Sequence, residues 1–121
     1  MVDLTVIILT KNEENNLLKC IESFKGIVKR FVIVDSFSTD GTKKICENLS
    51  GIVNLSFYEN NFIDHATQLN WGLNNTSINT EWTMRIDADE EITPELVEEI
   101  EKKLPNLEEN IKGIILKRRV Y

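Results

Sequence analysis

The run Leu4-Thr5-Val6-Ile7-Ile8-Leu9 constrains the fold more than any other feature of this chain. A strand with one wet face alternates apolar and polar residues. This run, almost wholly apolar and largely β-branched, does not, so it reads as a strand buried on both faces, the condition of a parallel sheet. Phe31-Val32-Ile33-Val34, entered from Lys29 and Arg30, is a second run of the same kind. Parallel neighbours need long crossovers, and the chain supplies helical patterns between its strands. Leu17, Leu18, Ile21 and Phe24 fall on one helical face, with Asn12 as the expected N-cap and Glu13 and Glu14 at the positive end.

The same alternation continues. A helix through Ile45, Cys46 and Leu49 stops at Ser50-Gly51, and a third strand is expected within 52–58, where Val53, Leu55 and Phe57 alternate with Asn54 and Ser56. Ala66, Leu69 and Leu73 predict a helix over 64–73, followed by a fourth strand over 81–86. Thr93-Pro94 is a strong helix start, with Leu96, Val97, Ile100 and Leu104 facing inward and Pro105 ending it. Glu98 with Lys102 and Glu99 with Lys103 form i,i+4 pairs on its wet side. Gly113-Ile114-Ile115-Leu116 begins a fifth strand. The expectation is an α/β fold: one domain over residues 1–121, a mostly parallel sheet with helices on both faces.

Composition narrows the function. A chain of 121 residues holds one core, and 41% hydrophobic with 28% charged residues excludes a disordered chain. The net charge is −6, and eight glutamates between 90 and 109 face only Lys102 and Lys103. That balance argues against nonspecific nucleic-acid binding, so a phosphate ligand needs a metal or local donors. Cys20 and Cys46 are too few and too far apart for zinc; they read as buried free thiols suited to a reducing cytosol. The first residues carry no basic, cleavable leader pattern, and no apolar run approaches the roughly 20 residues that cross a bilayer. A cytoplasmic location is expected.

Every polar cluster falls at the carboxyl end of an expected strand: Thr10-Lys11-Asn12, then Asp35 to Thr42, then Asp87-Ala88-Asp89. Ligands of open parallel sheets collect on that rim, near a switch in strand order. Asp87, Asp89, Glu90 and Glu91 crowd one short stretch, which is unfavourable unless water or a cation neutralises it. On an extended chain Asp87 and Asp89 point the same way while Ala88 points back, an arrangement suited to Mg²⁺ or Mn²⁺ shared with phosphate oxygens. The competing reading is a solvated acidic loop that caps the next helix. Ile92 stands where an EF-hand requires glycine, and neither a Gly-x-x-x-x-Gly-Lys loop nor Gly-x-Gly-x-x-Gly is present. His65, the only histidine, sits at a loop-to-helix junction and reads as a surface or local hydrogen-bonding residue rather than a catalytic one.

Together these blocks resemble family 2 glycosyltransferases of the GT-A fold. Thr10-Lys11-Asn12-Glu13-Glu14 is similar to the family's opening block, and Asp35-Ser36-Phe37-Ser38-Thr39-Asp40-Gly41-Thr42 to its second. Gln68-Leu69-Asn70-Trp71-Gly72-Leu73 resembles the third, and Asp87-Ala88-Asp89 the Asp-x-Asp signature. The nearest branch suggested is that of lipopolysaccharide-core and cell-envelope glycan synthesis. The resemblance implies a nucleotide-diphospho-sugar donor, with a UDP-sugar favoured, and a glycan or lipid-linked acceptor. It implies nucleotide contacts from Thr10, Asn12, Glu14, Asp35, Ser38, Asn70 and Asp87, with Asp35 at the base. It also implies Mn²⁺ or Mg²⁺ at Asp89 and Asp87, and an inverting displacement.

Two positions depart from the pattern: Lys11 stands where many members carry a tyrosine that packs on the base, and Leu69 where many carry arginine. The family's catalytic base lies well downstream, beyond Tyr121, so this chain is expected to carry the donor-binding half of a longer enzyme and to transfer sugar poorly or not at all by itself. The complete enzyme is expected at the inner face of the membrane if its acceptor is lipid-linked. Two other classes stay open. One is a non-catalytic nucleotide-binding or interaction module. The other is a metal-dependent phosphohydrolase, which lacks an evident aspartate nucleophile with a partner lysine.

Overall fold

The computed structural model describes residues 1–104 and 115–117. The element order is β1 (Val2–Thr10), α1 (Leu17–Glu22), β2 (Val28–Asp35), α2 (Thr42–Leu49), β3 (Leu55–Glu59), α3 (His65–Asn75), β4 (Trp82–Asp87), α4 (Pro94–Lys103) and β5 (Ile115–Lys117). The strands form one sheet in the order β3-β2-β1-β4-β5, and every pairing is parallel. β1 is central, as its unbroken apolar run requires: Leu4, Val6, Ile7 and Ile8 are fully buried. From β1 the chain winds outward through β2 and β3, then returns to β1's other side with β4. The switch in strand order lies between β1 and β4.

The two faces of the sheet are covered unequally. Alternate residues Leu4, Val6 and Ile8 join α1, α2 and α4 in the main core, through Leu17, Cys20, Cys46, Val97 and Ile100 among others. The opposite face carries Ile7, Val32 and Val34 and is packed by α3 through Leu69 and Trp71. Among the described residues helices therefore lie on both faces, three on one and one on the other.

Several expectations need correction in detail. Asn12 is not the cap of α1. It has φ 54, and the helix starts later, at Leu17 with Asn16 as N-cap. Leu18, expected inside, is exposed because the helix of six residues turns Leu17, Cys20 and Ile21 inward instead. In α3 the inward stripe is Gln68 and Gly72, with Ala66 exposed. Hydropathy missed that stripe because one member has no side chain and the other hides its polar amide in hydrogen bonds. Gly72 is what permits the approach: a Cβ there would stand 2.5 Å from Ile7 Cδ1 and 3.0 Å from Val34 Cγ2. β3 begins at Leu55, later than expected, and leaves Val53 outside. Thr93 caps α4 as expected, its hydroxyl accepting from Leu96 N at 3.1 Å. Gly113 and Ile114 of the expected fifth strand, and Pro105, lie outside the described residues. The strand itself is found at Ile115–Lys117.

Candidate functional site

The carboxyl ends of β1, β2 and β4 bring the three polar clusters to one rim, with Thr10 in register with Asp35 and Leu9 with Asp87. A cleft of about 280 Å³ opens at the β1/β4 switch. Leu9, Thr10 and Lys11 enter it from β1, and Arg85, Asp87, Ala88 and Asp89 from β4 and its turn. Glu13, Ser36, Phe62 and His65 complete the lining.

The acidic turn is built as the two-residue alternation requires. Asp87 and Asp89 are exposed while Ala88 is buried between them. Glu90 folds back: its N–H donates to Asp87 O, and its carboxylate accepts from Asp87 N, both at 3.0 Å. The turn is also held from below by α1. The Cys20 thiol approaches Asp87 O at 3.7 Å, and Ser23 Oγ accepts from Ile92 N at 3.1 Å. Burial pushes the Cys20 thiol up to about 12, aided by the charges of Glu90, Glu91, Asp89 and Asp87. Cys20 is therefore a protonated strut under the site, not a nucleophile.

Most of the other expected nucleotide contacts are engaged with each other. Asp35 is fully buried; its Oδ1 accepts from Thr10 Oγ1 and Ser38 Oγ, each at 2.6 Å, and its Oδ2 from Ser38 N at 2.7 Å. Asn12 Oδ1 accepts from Thr39 N at 2.8 Å and Asp40 N at 3.3 Å, and Asn12 N donates to Ser38 Oγ at 2.7 Å. Glu14 Oε1 accepts from Gly41 N at 2.6 Å. Asp40 accepts from Thr42 N and Oγ1 and from Glu14 N. Desolvation acts to raise the Asp40 carboxyl, but these hydrogen bonds from Thr42 and Glu14 outweigh it and hold it below its ordinary value. The β1–α1 and β2–α2 loops are thus laced into one unit. Of the expected nucleotide-binding residues, Thr10 and Asp87 line the cleft, with Asp89 beside them. Asn12, Glu14, Asp35 and Ser38 stand behind it as the lacing. Asn70 is exposed on α3, away from the lining.

Lys11, Phe62, His65 and Arg85 line the cleft, and sequence reasoning gave none of them a ligand-binding role. Lys11 Nζ donates to the carbonyls of Ser36 and Phe37, each at 3.0 Å, and so clamps the β2–α2 loop. Phe62 and His65 meet edge to face, with ring centroids 5.2 Å apart. Arg85 shares the sheet face of Asp87, and its Nη2 lies 3.4 Å from Asp87 Oδ1. Strand alternation was the available signal for Arg85, and the position of 62–65 after a strand was the signal for the aromatic pair.

The profile of glycosyl transferase family 2 matches residues 5–119. The chain belongs to that family. Relatives include a glycosyltransferase of Rickettsia felis, 36% identical over 84% of this chain and 34% of that protein. Glycosyltransferase GlyA of Streptococcus pneumoniae is 32% identical over 89% of this chain and 16% of that protein. The chain therefore spans about a third of the length of its rickettsial relatives. The crystal structure of S. aureus TarS 1-349 superposes with a TM-score of 0.73 at 24% identity, over 88% of this chain and 33% of that one. At that identity the likeness shows the shared GT-A fold. A further TarS structure of the same score is a complex with UDP-GlcNAc, covering 88% of this chain and 32% of that one. Among the described residues of this family 2 chain, no helix is long and apolar enough to cross a membrane.

Proposed function

We propose that the cleft is the donor site of a glycosyltransferase that takes a nucleotide-diphospho-sugar, a UDP-sugar foremost, and serves a glycan or lipid-linked acceptor. The observation that carries this reading is the pair Asp87 and Asp89, both exposed and lining one cleft at the β1/β4 switch with Ala88 buried between them. Family membership and the UDP-GlcNAc complex of the similarly folded TarS support it.

The two carboxylates fit Mg²⁺ or Mn²⁺ of the kind that takes one or two protein oxygens and completes its shell with phosphate and water. Among the described residues no group of three or more His, Cys, Asp or Glu is gathered to hold an ion by protein ligands alone, which suits an ion shared with its substrate. Asp89 and Asp87 would hold it, and when bound it supplies positive charge to the departing diphosphate. The chain's own contribution is positional. The laced loops fix the backbone beside Thr10 and Lys11, and the Asp87–Glu90 turn fixes the carboxylates, so little ordering is left for the moment of binding. Acceptor recognition and the catalytic base belong, on this reading, to the part of the longer relatives that this chain does not span.

Calorimetric titration of UDP, GDP and CDP into the chain, with and without Mn²⁺, tests the proposal. UDP binding that Mn²⁺ strengthens, with that gain lost in Asp89→Asn, is expected. Binding by no nucleotide in any condition, from a chain that is folded, refutes it and favours the interaction-module reading.

A further inference from the structure

Arg85 differs from Lys11 on the rim and from Arg30 on the same sheet face in leaving donors unused among the described residues. Lys11 is committed to two carbonyls. Arg30, on β2, uses Nε and Nη2 on Ser56 Oγ, Nη2 also on Tyr58 Oη, and Nη1 on Ser77 O. Arg85 has a 3.4 Å contact between Nη2 and Asp87 Oδ1, while among the described residues its buried Nε has no hydrogen-bond partner. Yet its side chain is one-third exposed (33%) and lines the cleft. It also sits on a strand, in register with the fully buried Ile7, so its base is rigid.

A buried N–H without an acceptor is a cost that an arriving acceptor removes. The guanidinium is planar, permanently charged and forked, which matches phosphate oxygens in pairs. It stands two residues before Asp87 on the same sheet face and lines the same cleft, so a diphosphate bound there comes within its reach. We propose that Arg85 is a direct contact for the diphosphate of the donor nucleotide, one that works without a metal ion. The proposal rests on the donor-site reading above and adds a second, independent phosphate-binding element to it. In this structure Arg85 leans on Asp87. Binding of the diphosphate replaces that long contact with phosphate oxygens and releases the Asp87 carboxylate.

The test compares UDP with uridine by NMR titration of the full chain in EDTA, for the native protein, Arg85→Lys and Arg85→Met. The native chain is expected to prefer UDP over uridine by about 10- to 100-fold, the range of a charged hydrogen-bonding pair. Arg85→Met is expected to lose most of that margin with uridine affinity unchanged, and Arg85→Lys, which keeps charge but not the fork, to fall between. Three results overturn the proposal: no UDP preference in the native chain in EDTA, a preference that survives in Arg85→Met, or an equal loss of UDP and uridine in Arg85→Met, which marks a residue that only shapes the cleft. If the native chain binds UDP with Mn²⁺ while one of these holds, the donor-site reading stands and the Arg85 contact falls. If it binds neither compound even with Mn²⁺, both fall.

Discussion

Asp35 offers the sharpest separation between holding the site together and touching the ligand. Its carboxylate is fully buried and accepts three hydrogen bonds of 2.6–2.7 Å, from Thr10 Oγ1, Ser38 Oγ and Ser38 N. Asp35→Ala strands all three donors. Thr10 is only 3% exposed, so its hydroxyl has no recourse to water; Ser38 is half-buried and recovers part of its loss. At about 1–3 kcal/mol for a stranded buried donor and less for the half-exposed pair, the sum is about 3–5 kcal/mol. That is a large part of the roughly 5–15 kcal/mol that holds a small domain folded. Asp35→Asn is milder. Its oxygen can accept from Ser38 N, and its NH₂ can face the two hydroxyls, which rotate to accept. What remains is the lost charge on the acceptor, about 1–2 kcal/mol.

Urea unfolding followed by far-ultraviolet circular dichroism reads both values. With a slope of about 1–3 kcal/mol/M, the alanine variant should lose roughly 2 M of its midpoint and the asparagine variant well under half of that. UDP titration on the same proteins, at urea-free conditions where each is folded, supplies the second readout. If Asp35 acts by bracing, loss of affinity follows loss of stability, and the asparagine variant binds nearly as well as the native chain. An asparagine variant of native stability that binds no UDP would refute this account. It would make Asp35 the base contact that the family resemblance implies. An alanine variant costing under about 1 kcal/mol would refute it from the other side.

Gly72→Ala should destabilise the chain by about 1–3 kcal/mol in the same urea assay, because the added methyl meets Ile7 Cδ1 at 2.5 Å and Val34 Cγ2 at 3.0 Å; native stability would show that α3 can lift without cost. The buried thiols set an alkaline limit. Burial, with help from neighbouring carboxylates, pushes Cys20 and Cys46 up from 9.0 to about 12. Between those values the unfolded chain releases protons that the folded chain keeps, so stability falls as pH rises, by up to about 1.4 kcal/mol per pH unit for each thiol. Stability measured from pH 8 to 11 should decline less steeply in Cys46→Ala than in the native chain, and parallel curves would disprove the linkage.

Strand positions were legible because burial on both faces leaves an unbroken apolar run, as in β1 and β2. The start of α4 was legible because Thr93-Pro94 is local chemistry. What the sequence concealed depends on contacts between distant segments. Asn12 has the composition of a helix cap, and nothing within ten residues reveals that its amide instead receives Thr39 N and Asp40 N from another loop. Gln68 looks like a solvent residue, yet it is 1% exposed because its amide binds Ser36 Oγ and Asn60 and joins the loops after β2 and β3. In the site, the exposed Asp87 and Asp89 were visible from spacing two apart on a strand end. The division of the remaining polar residues between lining and lacing was not, since both roles draw on the same short oxygen- and amide-bearing side chains.

That division has a physical reason. The β1–α1 segment carries few apolar anchors: from Lys11 to Asn16 every residue is at least partly exposed, and burial begins again at Leu17. A segment with so little to bury does not order itself, and ordering it on ligand arrival would subtract from affinity about as much as a good contact adds. Hydrogen bonding it to the β2–α2 loop moves that cost into folding. The acceptors that do so are among those the resemblance assigns to a nucleotide, so on the proposed reading the ligand meets the strand-mounted Arg85 and Asp87, the adjoining Asp89, and Thr10 and Lys11, which line the cleft while their side chains join the lacing. On the proposed reading phosphate selectivity rests on β4, whose position is set by its parallel ladder to β1 rather than by either loop. Substitutions in the lacing should therefore change how rigidly the cleft is presented, and substitutions on β4 should change which ligand it takes.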